Sequence, residues 1–172
     1  LSVPCDVTDP AQCADLVATT VAELGRLDIL VNNAATALMV DPLELTEQQW
    51  RDSIDVNLNG VFFSAQAAAR HMVEQGHGHI VNIASSSGIK GDEHMAPYAA
   101  AKAAVINLTR TLATSWAIHN INVNCIAPGS IAVPDHDLTG IPQDELLRQR
   151  AFLDQNNPPI QQPGSPDDIA DA

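Results

Sequence analysis

A tyrosine and a lysine stand four residues apart in the segment Tyr98-Ala-Ala-Ala-Lys102. The segment is rich in alanine, so we predict a helix there, and residues four apart lie on the same face of a helix. A free tyrosine titrates near pH ~10, but an adjacent ammonium group favours the phenolate and makes the phenol a stronger acid. The pair is therefore a candidate proton donor and acceptor. A packed tyrosine beside a solvated lysine would have the same spacing.

The elements that position this pair alternate between short apolar runs and longer helical segments. We predict strands within residues 2–7, 28–34, 79–84 and 121–127, and helices over residues 10–24, 46–76 and 96–118. Asp9 and Thr46 are suited to begin the first two helices, and Gly25 is suited to end the first. The alternation is typical of an α/β fold, a doubly wound parallel sheet with helices on both faces.

The whole chain, residues 1–172, has the length of a single domain. Residues 130–164 are rich in Pro, Asp and Gln, with one predicted helix near residues 143–152. A long polar segment over a compact sheet is typical of a functional lid. Another helix is predicted to begin at Ser165-Pro166, since serine is a good N-cap and proline fits the first helical position.

Polar or turn-forming residues follow each predicted strand. They are Asp6, Asn32-Asn33, Ser85-Ser86-Ser87 and Pro128-Gly129. Ligands of an open parallel sheet bind beyond the carboxyl ends of its strands, so these residues should meet at one edge. Each of them alone has a local explanation as a turn residue. Together with the tyrosine–lysine pair they predict a binding site at that edge.

The composition excludes several classes of function. The net charge is −13, and Lys90 and Lys102 are the only lysines, so no basic patch is available for nucleic acid. The apolar runs are too short to span a membrane, and no secretory leader is recognisable, which predicts a cytoplasmic protein. An acidic chain poor in lysine fits either a salt-adapted host or a GC-rich genome.

The cysteines and histidines do not predict a metal site. The scattered cysteines are expected to remain reduced thiols: Cys5, Cys13 and Cys125. Three histidines lie close in sequence, but they lack cysteine or carboxylate partners at a metal-binding spacing: His71, His77 and His79. We therefore expect no metal.

The ordered set of motifs resembles the short-chain dehydrogenase/reductase family. The matching residues are Asp6-Val7, Asn32-Asn33-Ala34, Asn57 within residues 56–60, Ser85 within residues 80–85, Tyr98 with Lys102, and residues 122–129. They extend over practically the whole chain in the family's order. Ser85 lies thirteen residues before Tyr98 and three before Gly88, and this spacing selects it over Ser86 and Ser87.

The resemblance implies a catalytic tetrad of Asn57, Ser85, Tyr98 and Lys102. Tyr98 would be the general acid in carbonyl reduction and the base in alcohol oxidation. Lys102 would stabilise the phenolate and contact the nicotinamide ribose, and Ser85 would hold the substrate oxygen. Asn57 would lie in a local helix distortion that holds a water in a proton relay to Lys102.

The resemblance also implies a nicotinamide cofactor, NAD or NADP, and a small alcohol or ketone substrate. Asp6 would accept a hydrogen bond from the adenine amine. The other residues implied to line the cofactor are Val7, Asn33, Ala34, Tyr98, Lys102, Pro128, Gly129 and Ile131. The family association predicts a homodimer or homotetramer, with alanine-rich helices around residues 62–69 and 99–113 at its interfaces.

The sequence departs from the family pattern in three places. It has no Gly-rich phosphate-binding turn, so we expect a fold incomplete at both ends, a fragment that by itself is inactive. Ala35 replaces a usual glycine, and Val133 stands where a threonine often contacts the carboxamide.

Two alternatives to hydride transfer remain open at this point. A truncated or degenerate relative could be a non-catalytic module. A relative with the same Tyr-Lys pair could instead catalyse epimerisation or dehydration. The sequence does not distinguish NAD from NADP. The charged residues between Gly88 and Pro97 favour a polar substrate over a long acyl chain, unless they face solvent.

Overall fold

The computed structural model describes residues 1–131 and 164–172 of the chain. These residues belong to two compact units, residues 1–127 and 128–172, and each is described by itself. The first unit contains helices, three strands, one π-helical segment and one 3-10 turn. In chain order these are α1 (Pro10–Leu24), β1 (Ile29–Asn32), α2 (Glu47–Ile54), the π segment (Asp55–Asn59), α3 (Gly60–Gln75), β2 (Gly78–Ile83), α4 (Ser87–Lys90), α5 (Ala96–Trp116), the 3-10 turn (Ala117–His119) and β3 (Ile121–Ile126).

The three strands form a parallel sheet in the order β1-β2-β3. Leu30, Ile80 and Val123 are register partners, and partners in adjacent strands point to the same side of a sheet. This side is the core side, because Ile80 is 0% and Val123 6% exposed. The predicted α/β class with parallel strands and intervening helices is confirmed.

Helices α1, α3 and α5 of the first unit cover one side of this sheet. The main core cluster joins side chains of α1, α3 and α5 to the inward side of the strands: Val17, Ala65, Ala67, Ala68, Ala69, Met72, Ile80, Leu112, Ile121 and Val123. On the other side, Ile29 and Val31 are more than half exposed. Helices α1, α3 and α5 pack on the side where the strand residues are apolar and buried, because burial alternates along each strand.

The helix ends follow their predicted capping residues. The Asp9 carboxylate accepts a hydrogen bond from the backbone N–H of Ala11 (2.9 Å) at the start of α1, and Gly25 ends it with φ +83°. Thr46 and Gln49 form a reciprocal capping box at the start of α2. Gly76 ends α3 with φ +83°. These local signals are reliable because each satisfies backbone groups that a helix end leaves unpaired.

The predicted strand within residues 2–7 is wrong. These residues form no strand in the structure, and the chain turns at Val7-Thr8 before α1. A β-strand needs a hydrogen-bonded neighbour, and none of the three described strands pairs with this segment. The short helix α4, which begins at the last serine of the run, was not predicted.

The second unit is described at its two ends. Ile131 forms an isolated parallel bridge with Gly164. Ser165 begins helix α6 (Pro166–Ala170) with a capping box, and Pro166 occupies its first turn, as predicted. The predicted lid and the predicted helix near residues 143–152 lie outside the described residues, apart from the lid's first and last positions. No helix within the described ranges is long and apolar enough to span a membrane.

A buried polar ladder crosses the sheet and connects it to α5. Asn82, on the central strand, is 0% exposed. Its side-chain oxygen accepts a hydrogen bond from Asn32 (2.9 Å), and its side-chain nitrogen donates to the Thr109 hydroxyl (2.9 Å). Thr109 in turn donates to the Val105 carbonyl (2.8 Å). These hydrogen bonds hold β1, β2 and α5 in one relative position, because each polar group in the ladder is satisfied only there.

Asn82→Ala should lower the free energy of unfolding by about 1–3 kcal/mol, because it leaves buried polar partners unsatisfied. Asn124→Ala is the matched control on an exposed position of β3, and it should change stability by less than about 0.5 kcal/mol. Denaturant titration of both variants measures the difference. Equal stability of the two variants would show that the ladder carries no stability.

Candidate active site

The tyrosine–lysine pair lies in the first turns of α5, as predicted. Tyr98 is partly exposed, whereas Lys102 is 1% exposed. The Lys102 Nζ atom lies 5.6 Å from the centre of the Tyr98 ring. This distance permits a favourable interaction between the ammonium charge and the ring. The solvated lysine that would explain the spacing without chemistry is therefore excluded.

The buried ammonium group of Lys102 is held by the end of β2. Its Nζ donates a hydrogen bond to the carbonyl oxygen of Ile83 (2.7 Å), two residues before Ser85. Burial lowers the pKa of Lys102, because it disfavours the charged form, and the nearby Cys125 sulfur acts in the opposite direction. An ammonium group has three donors, so two remain beyond the bond to Ile83.

A close approach of α4 to α5 brings the serine run beside Lys102. A Cβ atom added at Gly88 would lie 2.6 Å from the backbone nitrogen of Ala103 and 2.6 Å from the carbonyl carbon of Lys102. Only glycine allows this contact, since no side-chain movement can relieve a clash with backbone. Gly88 therefore fixes the segment that begins at Ser85 against the helix turn that carries Lys102.

Ser85 follows β2 and is partly buried. Its hydroxyl oxygen accepts a hydrogen bond from the backbone N–H of Ser87 (3.1 Å) and donates to the Ser87 hydroxyl (3.1 Å). The Ser87 hydroxyl donates to the Asp92 carboxylate. Ser87 and Asp92 were not among the predicted catalytic or cofactor-binding residues. The sequence signal for them was the position of an acidic residue shortly after the serine run.

Asn57 is fully buried in the π segment, and the predicted helix distortion is confirmed. Its side-chain nitrogen donates to the carbonyl oxygens of Thr36 (2.7 Å) and Ser53 (2.9 Å), and its side-chain oxygen accepts from the Thr36 N–H (3.2 Å). Asn57 therefore binds the loop that follows β1 through two hydrogen bonds to Thr36. The π segment also contacts α5. Within the described residues no hydrogen bond joins Asn57 directly to Lys102.

Besides Tyr98 and Lys102, four further predicted cofactor residues lie in the first unit. The Oδ1 atom of Asp6 accepts hydrogen bonds from the N–H (2.9 Å) and hydroxyl (2.8 Å) of Thr8, which lower the pKa of Asp6. Its Oδ2 atom accepts no bond from the described part of the chain. Val7, Asn33 and Ala34 line a cavity of about 180 Å³ beside β1, whose other walls are mostly apolar.

The remaining predicted cofactor residues lie in the second unit: Pro128, Gly129 and Ile131. Ile131 makes the bridge to Gly164. Among residues 1–131 and 164–172, no three His, Cys, Asp or Glu side chains are grouped closely enough to hold a metal ion.

The first unit thus combines a proton-transfer pair with a hydroxyl group held by the backbone. Tyr98 carries a transferable proton beside a buried cation, and Ser85 presents a hydroxyl that can donate to an oxygen. Lys102 has two donors that no hydrogen bond of the described residues uses. Such a set suits proton transfer to or from an oxygen atom, with the electrons of the reaction supplied by another group.

Comparison with known proteins agrees with this chemistry. A family model described as short chain dehydrogenase matches residues 1–138. The 2-dehydro-3-deoxy-D-gluconate 5-dehydrogenase of Dickeya dadantii (strain 3937) is 43% identical over 155 residues, 90% of this chain and 60% of that protein. The gluconate 5-dehydrogenase of Gluconobacter oxydans (strain 621H) is 42% identical over 127 residues, 74% of this chain and 50% of that protein.

A solved structure has the same fold. The crystal structure of a short-chain type dehydrogenase/reductase from Mycobacterium marinum has a TM-score of 0.87 and 34% identity, and the match covers 99% of this chain and 65% of that one. The chain therefore spans between 50% and 65% of the length of these three proteins.

The lowered pKa of Lys102 predicts a pH dependence of stability. Between the lowered value in the native state and the usual value of 10.5, the unfolded chain binds more protons than the native chain. The contribution of Lys102 to the free energy of unfolding therefore rises with pH across that window. Lys102→Met removes it.

Denaturant titrations of wild type and Lys102→Met at a series of pH values measure this contribution as the difference between the two curves. The wild type should gain stability relative to the variant as the pH rises toward 10.5. A difference that stays flat or falls would contradict the burial of a charged Lys102.

Proposed function

The chain belongs to the short-chain dehydrogenase family, and from this premise we propose that the protein transfers a hydride between NAD or NADP and a secondary alcohol or its ketone. The observation that carries the proposal is the burial of Lys102 beside Tyr98, with Nζ 5.6 Å from the ring centre. The free energy cost of burying an ammonium group is high, and a phenol that must give and take a proton benefits from its charge.

Each tetrad residue has a role in the proposal. Tyr98 gives its proton to the carbonyl oxygen during reduction and takes it from the alcohol during oxidation. Ser85 donates a hydrogen bond to the same oxygen and orients it. Lys102 favours the phenolate. Asn57 holds the π segment and the loop after β1 in place, and in the family's pattern it also supports a water that links Lys102 to solvent.

The residues present fit a nicotinamide dinucleotide. The free Oδ2 atom of Asp6 can accept the adenine amine, and the two remaining Lys102 donors can bind ribose hydroxyls. Val7, Asn33 and Ala34 line a mostly apolar cavity suited to an adenosine moiety. Pro128, Gly129 and Ile131 are proposed for the nicotinamide end. The bound cofactor supplies the hydride chemistry.

The substrate proposed is a polar hydroxy or keto acid of the sugar-acid type. Two relatives are named as dehydrogenases of gluconate or of a deoxygluconate. The loop before α5 supports a polar substrate, because the Nδ1 atom of His94 is buried without a hydrogen-bond partner in the described part of the chain. His94 also has φ +60°, a conformation that costs a non-glycine residue free energy and is common at functional sites.

We also propose that the protein is a homodimer or homotetramer located in the cytoplasm. The alanines of α3 are buried in the chain's own core, so they leave no surface for a partner. Ala100 and Ala103 of α5 are exposed, and they support a homodimer or homotetramer formed through α5. A single monomeric species in sizing experiments would contradict this. All three cysteines are unpaired, which supports a reducing compartment, the cytoplasm.

The activity is tested by following nicotinamide absorbance with NAD and NADP against a panel of sugar acids, simple secondary alcohols and hydroxyacyl thioesters. Tyr98→Phe should lower kcat by at least about a thousandfold, because the proton donor is lost. Cofactor affinity should stay within about twofold, since the ring is kept.

Turnover of Tyr98→Phe at a near-normal rate would contradict the role of Tyr98. Tight cofactor binding without turnover of any panel member would contradict the proposed reaction.

A further inference from the structure

A chain of hydrogen bonds leads from Ser85 into the turn that follows β2. The Ser85 hydroxyl donates to the Ser87 hydroxyl (3.1 Å), and the Ser87 hydroxyl donates to the Asp92 carboxylate. The backbone N–H of Ser87 returns to the Ser85 oxygen (3.1 Å). Ser85 is thus held twice by one residue, through the N–H and through the side chain of Ser87.

The directions of these bonds follow from the number of available protons. An ionised carboxylate only accepts, so the single hydroxyl proton of Ser87 is committed to Asp92. The Ser87 oxygen can then only accept from Ser85. Asp92 therefore fixes the orientation of the Ser87 hydroxyl, and through it the rotamer of Ser85.

The surroundings make this arrangement rigid. Ser87 is 7% exposed, and the Asp92 side chain is 8% exposed. Lys90 Nζ lies 3.5 Å from the other carboxylate oxygen of Asp92 and balances its charge. Buried and satisfied polar networks of this kind restrict their members to one conformation.

We propose that Ser87 and Asp92 are positioning residues for Ser85, an inference that rests on the proposed dehydrogenase function. When a substrate oxygen arrives, Ser85 turns its proton from the Ser87 hydroxyl to that oxygen. The Ser87 N–H keeps the Ser85 oxygen in place while this hydrogen bond changes its acceptor. Asp92 holds the Ser87 hydroxyl in the orientation that accepts the hydrogen bond from Ser85 again. A side chain fixed beforehand loses less entropy when the substrate binds.

We expect a specific pattern of changes in kcat and KM for variants of Ser87 and Asp92. Ser87→Ala removes one of the two bonds that hold Ser85, and Asp92→Ala frees the Ser87 hydroxyl that accepts this bond, so each variant should lower kcat about three- to tenfold. The KM for the cofactor should not change. Asp92→Asn should restore kcat to within about twofold of wild type, because the amide oxygen still accepts from Ser87. The double variant Ser87→Ala/Asp92→Ala should be no slower than the slower single variant, because both residues act through one chain.

Ser86→Ala is the matched control. Its side chain makes no capping bond, and its removal should leave kcat unchanged. Thermal unfolding and cofactor affinity are measured for every variant, so that a loss of folded protein is separated from a loss of rate. Additive losses in the double variant, or equal rates for Asp92→Ala and Asp92→Asn, would overturn the proposal.

The positioning role of Ser87 and Asp92 can also be tested if the proposed dehydrogenase function is wrong. If the complete wild-type protein turns over no panel member, crystal structures of Asp92→Ala and Asp92→Asn decide the positioning role. The Ser85 side chain should occupy more than one rotamer in Asp92→Ala. It should remain bonded to the Ser87 N–H in Asp92→Asn. One unchanged Ser85 rotamer in both variants would overturn the inference.

Discussion

The burial of the Lys102 charge is the constraint on which the arrangement of the site depends. Transferring an ammonium group into a protein interior costs on the order of several kcal/mol unless it is compensated. Its described protein partner is the Ile83 carbonyl at the end of the central strand. That bond joins the first turns of α5 to the edge of the sheet where Ser85 follows. Gly88 then allows α4 to pack on the α5 backbone, which a side chain at this position would prevent.

The other buried polar residues connect the same edge to the core. Asn82 joins β1, β2 and α5 through the ladder to Asn32 and Thr109, and Asn57 joins the π segment to the loop after β1. Each is 0% exposed and has its side chain hydrogen-bonded within the described part of the chain. Because such groups lose much of their stabilisation if a neighbour shifts, they favour one relative position of sheet, helix and loop. Ser85 and Tyr98 lie on the segments that these bonds hold in place.

The sequence predicted those features that short segments determine by themselves. The helices begin at Asp9, Thr46 and Ser165 because of the local chemistry of these capping residues. The three strands of the sheet follow from the apolar pattern of their own segments. The strand within residues 2–7 was wrong because a strand depends on a neighbour that an apolar run does not specify. The serine network was missed because side-chain bonds across a turn depend on the backbone path between Ser85 and Asp92. The membership of the tetrad came from resemblance, and the structure adds the burial of Lys102 and Asn57.

Within residues 1–131 and 164–172 Lys102 has no acidic partner, which is consistent with the chemical role proposed for its charge. A buried lysine kept for stability is expected beside a carboxylate that compensates it. Among the residues that the structure describes, no carboxylate lies within ion-pairing distance of Lys102, and a neutral carbonyl takes one of its three donors. A methionine of similar shape would fill the space without the desolvation cost. The proposed function would explain the charge by partners that form during the reaction, the Tyr98 phenolate and the ribose of a bound cofactor.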